Sequence, residues 1–336
     1  MSSLGRSRSG CLLASLLACW AALPVGAQEQ QYRERQVLDP QTDEWVDQAP
    51  ATQPGPADDL GQARAWLAQN KPGKARKLLN NWIKQNPDDE RHYEALFLLG
   101  ETYFESRDFW KAAEQYQTVA ENSSGDLFHQ ANRRCVDAAR AFLSGQKRIL
   151  WRVFRVPAYD DGVEILDRVW ERAPGTRLGE LALKLKADYY FDHGDVDLAQ
   201  DEYASLAKQY PSGKYVQLAS LRTAEAAEAA FPGVKFDDRP LVEAETRYQQ
   251  MQAAFPAYAE RESVAQRLEG IRQQRADKDL DIARWYERTK QPGAAEFYYR
   301  LVLRDWPKTL AASEARNRLR AMGVRLEDTA GEDPKP

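Results

Sequence analysis

The residue types that most often perform chemistry in proteins are few in this chain and widely spaced. The histidines are His92, His129 and His193, and none lies at the short spacing to another histidine or to a cysteine pair that a zinc site requires. The sequence contains no glycine-rich phosphate loop, no Gly-x-Ser-x-Gly nucleophile motif and no kinase signature. The residues predict neither a catalytic centre nor a bound cofactor, so we expect a protein that is not an enzyme.

Adjacent acidic residues are the remaining candidates for acid–base chemistry. They occur as the pairs Asp88-Asp89, Asp160-Asp161 and Asp237-Asp238. Each pair falls where a helix or an insert is expected to begin. Carboxylates at a helix N-terminus accept hydrogen bonds from free backbone amides and interact favourably with the helix dipole. We therefore interpret these pairs as capping residues.

A recurring pattern indicates which elements hold these residues in place. It consists of a small residue, an aromatic residue or Leu four positions later, an apolar residue three further on, and usually a Pro five beyond that. Six such patterns predict a tandem array of helical hairpins, each closed by a helix-stopping residue. The six are Ala75/Leu79/Trp82/Pro87, Ala112/Tyr116/Val119/Ser124, Gly162/Leu166/Val169/Pro174, Ala199/Tyr203/Leu206/Pro211, Ala244/Tyr248/Met251/Pro256 and Ala295/Tyr299/Val302/Pro307.

This is the tetratricopeptide (TPR) pattern, in which the signature lies on the second helix of each hairpin, helix B. Apolar residues at helical spacing mark helix A before it. The predicted fold is all-α: an α-solenoid of about six TPR-like hairpins with inserts, over residues 59–322. The signatures lie further apart than the ~34 residues of a strict array, so we expect longer helices or inserts in several units.

Helix A lines the concave face of a TPR array, and its side chains are our candidate protein-binding groove. An aromatic and acidic lining there would suit an extended peptide with aromatic side chains. Alternatively, the Phe residues belong to the core between helices and only the acids are exposed. The candidates are Glu94, Phe97, Glu101, Phe104 and Glu105 in unit two, and Lys184, Asp188, Phe191 and Asp192 in unit four.

An insert in unit three, residues 145–157, alternates basic and apolar side chains. One interpretation is a basic amphipathic element that touches an anionic membrane face or an acidic partner. The other is an extra helix that caps the array, with its aromatic residues in the core. The residues concerned are Lys147, Arg148, Arg152 and Arg155, alternating with Ile149, Leu150, Trp151 and Phe154.

The N-terminus predicts export. Arg6 and Arg8 precede an apolar run at 11–23 that is short for a membrane span and fits a secretory signal. Either residues 1–27 are a signal peptide cleaved after Ala27, or residues 1–18 are removed and Cys19 is lipidated, since it follows Leu-Leu-Ala. We expect a disordered tether at 28–58, with two short extended pieces near 37–40 and 44–46, and a disordered tail at 323–336.

Charge and cysteine content narrow the classes of partner. The net charge is −4, whereas a general nucleic-acid binder needs a basic face to neutralise phosphates; we expect no nucleic-acid partner. Beyond the leader, Cys135 is the one thiol left unless Cys19 is an anchor, so an intramolecular disulfide framework is not expected. Cys135 lies within a helical pattern and is predicted to be a buried apolar residue.

The last units resemble the BamD family of TPR lipoproteins, which belong to the outer-membrane β-barrel assembly machine. The resemblance lies in RWYERTKQPGAAEFYYRLVLRDWPKT at 284–309 and in the Phe-Asp-Asp…Pro-Leu segment at 235–244. It implies a non-catalytic scaffold on the periplasmic side of the bacterial outer membrane, with peripheral or lipid-anchored membrane association. Its implied partners are the outer-membrane barrel-assembly protein, docked by units five and six, and unfolded barrel substrates, received by units one and two.

The alternative function is a periplasmic TPR adaptor for another cell-envelope complex, such as the cell-wall or division machinery. Lipidation of Cys19 would favour the assembly role over this adaptor role, because the resembling family is lipid-anchored.

Overall fold

The computed structural model describes residues 36–38, 45–47, 58–150 and 154–325. Short strands β1 (Gln36–Leu38) and β2 (Trp45–Asp47) pair antiparallel and form a unit separate from the helices. A second pair, β3 (Arg148–Leu150) and β4 (Phe154–Val156), lies between helices. The helices are α1 (Asp59–Ala68), α2 (Pro72–Gln85), α3 (His92–Glu105), α4 (Phe109–Asn122), α5 (Gly125–Leu143), α6 (Tyr159–Arg172), α7 (Arg177–His193), α8 (Val196–Gln209), α9 (Val216–Ala229), α10 (Arg239–Ala254), α11 (Pro256–Arg261), α12 (Val264–Arg288), α13 (Pro292–Asp305) and α14 (Leu310–Ala321).

The helices pack as consecutive hairpins, which confirms the predicted all-α solenoid. Within the described part of 58–325, six hairpins follow one another: α1/α2, α3/α4, α5/α6, α7/α8, α9/α10 and α12/α13. Helix B of each hairpin also packs against helix A of the next hairpin. The short α11 links units five and six, and α14 packs against both helices of unit six to close the array.

The six sequence signatures all fall on helix B, and their apolar positions form the core. The tyrosines at the second signature position, Tyr116, Tyr203, Tyr248 and Tyr299, are at most 1% exposed. Every helix B ends two residues before its closing Pro, or before Ser124 in unit two. The residue preceding a proline is sterically excluded from the helical region, so the chain must leave the helix at that point.

Gly100 on α3 makes the close packing of unit two possible. A β-carbon at this position would lie 2.6 Å from Cε1 of Tyr116, well inside contact distance. Any larger residue would therefore push the buried ring of Tyr116 off the helix A surface.

The insert of unit three is a β-hairpin, so the predicted extra helix is wrong. Arg148–Leu150 pairs antiparallel with Phe154–Val156. The insert is rich in β-branched and aromatic residues, which favour strands. Phe154 is 59% exposed, so this aromatic residue does not enter the core.

Arg148 fixes the base of this hairpin to the array. Its guanidinium carbon lies 3.3 Å from the centroid of the Trp110 ring on α4, and its Nη1 donates to Asp161 on α6 at 3.2 Å. The insert is therefore held on α4 and α6.

Strands β1 and β2 coincide with the two extended pieces expected within the N-terminal tether. The predictions for the signal peptide at 1–27, for lipidation of Cys19 and for the tail from 326 onward lie outside the described residues. Cys135 is fully buried on α5, and burial raises the pKa of its thiol to about 12. It therefore packs as a small apolar residue, as predicted.

Candidate protein-interaction site

The helix A face is built around a repeated tyrosine–carboxylate hydrogen bond. Four signature tyrosines point from helix B toward the helix A of their own hairpin, where each hydroxyl donates to an acidic side chain. Burial, followed by the nearby carboxylate, raises the pKa of Tyr203, Tyr248 and Tyr299. The hydroxyls therefore stay protonated and act as donors. The oxygen–oxygen distances are 2.6 Å for Tyr116–Glu101, 2.6 Å for Tyr203–Asp188, 2.8 Å for Tyr248–Glu228 and 2.5 Å for Tyr299–Glu287.

Each of these carboxylates also faces a cationic side chain. In three units the cation comes from a later helix outside the hairpin: α5 for unit two, α12 for unit five and α14 for unit six. In unit four the cation comes from helix A itself. A carboxylate that accepts both a hydroxyl and a cationic group has little charge left to offer a ligand. The pairs are Glu101–Arg134 (2.6 Å from Nε), Asp188–Lys184 (2.5 Å), Glu228–Arg267 (3.8 Å) and Glu287–Arg318 (3.6 Å).

The predicted unit-two residues divide between these internal contacts and the surface. Glu101 is only 7% exposed, so it is not the open groove carboxylate that the sequence led us to expect. Glu94 pairs with Arg64 of unit one. Glu105 is exposed and is the unit-two acid best placed to meet a ligand.

The two predicted phenylalanines of unit two are half-buried. Phe97 packs with its ring centroid 5.5 Å from that of Tyr116. Phe104 meets Phe109 edge-on at 5.1 Å, and the Arg134 guanidinium lies 4.5 Å above its ring. Both interpretations of these residues are thus partly realised, because the rings belong to the core and still present an edge to solvent.

The predicted unit-four residues lead into an open cleft of about 460 Å³ between α7, α9 and α12. Lys184 and Asp188 form an ion pair on α7, and Asp192 is exposed one turn later. Phe191 lines the cleft, with the Arg222 guanidinium 4.7 Å from its ring centroid. Unit two and unit four pack against different core clusters, so the structure does not bring the two predicted sets together.

Sequence reasoning missed the charged residues that complete this cleft. Glu225 on α9 accepts from Arg222 at 2.8 Å and from Arg267 on α12 at 2.7 Å. The three-residue spacing of Arg222 and Glu225 places them on one helix face. Nothing in the sequence links that face to Arg267, which only the packing of α12 against α10 and α9 brings near.

A second surface missed from sequence is an aromatic patch on unit six, formed by Trp285 and Tyr286 of α12 with Phe297 and Tyr298 of α13. The rings of Tyr286 and Tyr298 stack at 5.1 Å with an interplanar angle of 10°. Trp285 meets Tyr286 edge-on at 4.8 Å, and Phe297 meets Tyr298 edge-on at 5.4 Å. The outer two rings, Trp285 and Phe297, are 49% and 61% exposed. Exposed aromatic clusters of this kind are enriched where proteins bind one another.

Two further observations concern chemistry and membranes. In the part of the chain that the structure describes, no three His, Cys, Asp or Glu side chains are grouped as metal ligands. Across the same residues, none of the helices combines the length and the apolar character needed to span a bilayer.

Residues 226–330, which include the unit-six aromatic patch, match the model of a family described as outer membrane lipoprotein (YfiO). The match covers less than a third of the chain. No curated protein sequence matches this chain.

Among solved structures, the chain is similar to the C-terminal part of a TPR repeat-containing protein from Cytophaga hutchinsonii. The identity is 12%, the similarity covers 76% of this chain and 86% of that one, and the TM-score is 0.37. It is also similar to a tetratricopeptide repeat protein from Parabacteroides merdae, with 8% identity, 78% and 96% coverage and a TM-score of 0.35. Likeness at this level adds nothing to what the helices themselves show. The chain is an all-α array of helical hairpins, and its C-terminal region is similar to an outer-membrane lipoprotein family.

Proposed function

We propose that this protein is a non-catalytic scaffold on the periplasmic side of the outer membrane that takes part in the assembly of β-barrel proteins. The observation that carries the proposal is the coincidence of two findings on units five and six. The match to the outer-membrane lipoprotein family covers 226–330, and the exposed aromatic patch lies within it. Large exposed rings on a rigid surface are typical of binding hot spots. We therefore assign the docking of the barrel-assembly protein to this patch.

The N-terminal units would then face the incoming substrate. Unit two offers the edges of Phe97 and Phe104 together with the exposed Glu105. The neutralised carboxylates, such as Glu101, cannot attract a charged ligand strongly. A substrate would therefore be recognised through its apolar and aromatic side chains and its backbone, as expected for an unfolded barrel strand.

Export belongs to the same proposal. Cleavage after Ala27 would release a periplasmic protein, whereas lipidation of Cys19 would anchor it to the membrane. A single acyl chain holds a protein only marginally, whereas several chains anchor it stably. Without the multi-chain anchor of the lipidated form, docking through unit six would have to retain the protein at the membrane.

The test is direct binding of the purified full-length chain to the soluble periplasmic domains of the barrel-assembly protein. We expect the double substitution Trp285→Ser/Phe297→Ser to weaken the affinity by at least about tenfold, as for hot-spot aromatics. Phe154→Ser is the matched control, because Phe154 is 59% exposed but lies in unit three. This control should bind like the wild type.

Co-purification from solubilised envelopes decides between the two candidate functions. Recovery of the barrel-assembly protein with the wild type, and its loss with the double variant, would support the assembly role. Enrichment of a cell-wall or division complex in its place would contradict the assembly role and establish the adaptor role.

A further inference from the structure

A second cleft lies between units four and five, and none of its lining residues belongs to the candidate groove or to the unit-six patch. It has a volume of about 530 Å³ and is bordered by α8, by α10 and by the loop between α9 and α10. We call it the Phe236 cleft, after the loop residue at its edge. Its apolar surface comes from Phe236, Pro232, Pro240 and two alanines at the end of α9.

Phe236 is the most unusual residue of this cleft because its ring is 58% exposed while its backbone is fixed. The Phe236 amide donates to the Gly233 carbonyl at 3.0 Å, and the Lys278 ammonium group donates to the Phe236 carbonyl at 2.5 Å. A large apolar side chain gains free energy when it leaves water. Here the loop holds the ring in solvent although the backbone on which it sits is anchored to α12.

The next two residues of the loop reinforce this anchoring. Asp238 accepts from Arg275 at 3.2 Å and lies 3.3 Å from the Lys278 ammonium group, so two cations of α12 hold it. The Asp237 side chain accepts from the backbone amide of Arg239 at 3.0 Å and thereby fixes the start of α10. The ring is thus presented by a loop that is already ordered, so binding a ligand would cost little conformational entropy of the loop.

The charge of the cleft defines what could bind there. Its rim carries three carboxylates, Asp197, Asp237 and Glu243, against one guanidinium, that of Arg239. Arg239 is already paired with Asp237, and Glu243 accepts from Gln200 at 2.6 Å and from Arg247 at 3.1 Å. Asp197 is exposed and forms no ion pair or side-chain hydrogen bond with the other described residues. The cleft therefore combines an apolar ring with an unneutralised negative charge.

We propose that the Phe236 cleft binds a segment of another protein in which a Lys or Arg lies close to an aromatic or aliphatic side chain. The apolar side chain packs between Phe236 and the prolines, and the cation pairs with Asp197. Charge complementarity excludes an acidic segment, since the rim is already negative. This inference does not depend on the proposed role in barrel assembly, because the cleft shares no residue with the unit-six patch.

The test uses a phage-displayed library of random dodecapeptides on the full-length chain. The library is first depleted on the Phe236→Ser protein, so that peptides bound elsewhere are removed. We expect the remaining binders to carry Lys or Arg next to an aromatic or aliphatic residue. The most enriched peptide is then synthesised with a fluorescent label, and its affinity is measured by anisotropy.

The variants separate the two parts of the recognition. Phe236→Ser should lower the affinity for the labelled peptide by at least about tenfold, as for a central apolar anchor. Asp197→Asn should lower this affinity by about two- to fivefold and reduce the salt dependence of binding, as for an exposed ion pair. Phe154→Ser, at 59% exposure in unit three, is the matched control and should leave the affinity unchanged.

Several results would overturn the inference. Failure to enrich any peptide after depletion would show that the cleft binds no segment of this kind. An acidic consensus, or equal binding by the wild type and Phe236→Ser, would show that the assigned chemistry is wrong. A wild-type chain that dimerises, with a monomeric Phe236→Ser variant, would show that a second copy fills the cleft instead.

Discussion

The helix A face and the unit-six surface use aromatic residues in opposite ways. On the helix A face, Tyr116, Tyr203, Tyr248 and Tyr299 are buried, and each hydroxyl binds a carboxylate that also faces a cation. On unit six, Trp285 and Phe297 extend into solvent from the outer side of the same hairpin that buries Tyr299. The difference teaches that the repeated residues of this array hold it together, and that binding is to be sought where one unit differs from the others.

The contrast is sharpest on α13, where two aromatic residues two positions apart have opposite environments. Tyr299→Ala should lower the free energy of unfolding by about 3–5 kcal/mol, because it leaves a cavity where a fully buried ring packs between hairpins. Urea denaturation followed by circular dichroism measures this difference.

Phe297→Ala is the control for that experiment. Its ring is 61% exposed, and surface substitutions usually change stability by less than about 0.5 kcal/mol. Equal effects of the two substitutions would remove the distinction between packing and surface aromatics in unit six.

The internal neutralisation of the helix A carboxylates gives a second, smaller prediction. Tyr203→Phe deletes only the hydroxyl that donates to Asp188, and hydrogen bonds to charged groups contribute about 1.5–3 kcal/mol. We expect a loss of stability in that range, measured by the same denaturation. A wild-type value would mean that the hydroxyl contributes nothing to stability and that Lys184 alone holds Asp188, contrary to the arrangement described above.

Tyr298→Phe serves as the matched control for this hydroxyl deletion. The Tyr298 hydroxyl forms no hydrogen bond with the other described residues, although its ring stacks on Tyr286. Its removal should leave stability within about 0.5 kcal/mol of the wild type.

The sequence predicted the architecture because local and global signals agree. Small and aromatic residues at fixed spacing on helix B, closed by a proline, determine both where the helix ends and which face is buried. The six signatures therefore place the six helix B segments, and even the Ser124 substitute marks an end of the same kind. The insert at 145–157 forms strands although its basic residues at 148, 152 and 155 have a helical spacing. Its β-branched and aromatic residues favour a strand, and the charge spacing does not reveal this.

The site was predicted less well, because it depends on contacts between distant residues. The sequence places Glu101 on the inner face of α3, but its burial depends on Tyr116 and on Arg134, which α5 supplies. Likewise, Phe191 was identified, whereas Arg267 enters its cleft only through the packing of α12. Local periodicity gives the face of a helix but not the partner that covers it.

The smallest expected change in stability comes from the loop that presents Phe236, an exposed aromatic residue. The ion pairs of Asp238 with α12 hold this loop in place. Partial burial raises the pKa of Asp238, but the hydrogen bond and charge of Lys278 and the hydrogen bond from Arg275 outweigh it, so the pKa lies below its usual value. The native state therefore binds a proton on Asp238 less readily than the unfolded state does. The ionised Asp238 side chain and its two cationic partners contribute their full stabilisation when the pH is above the unfolded-state pKa of about 3.9. This contribution is lost as the pH falls through the lowered native-state pKa.

Asp238→Asn should accordingly cost about 0.5–1 kcal/mol at neutral pH, as for partly exposed ion pairs. The difference from wild type should stay constant from about pH 8 to pH 5, begin to shrink near pH 4, and disappear once the pH has fallen through the lowered pKa of Asp238. Urea midpoints measured across this range test the prediction, with Asp201→Asn as control, because Asp201 is exposed on α8 and has no ion pair with the described residues. If the difference persisted at the lowest pH, the Asp238 charge would not be what holds the loop, and the presentation of Phe236 would depend on the backbone hydrogen bonds of the turn alone.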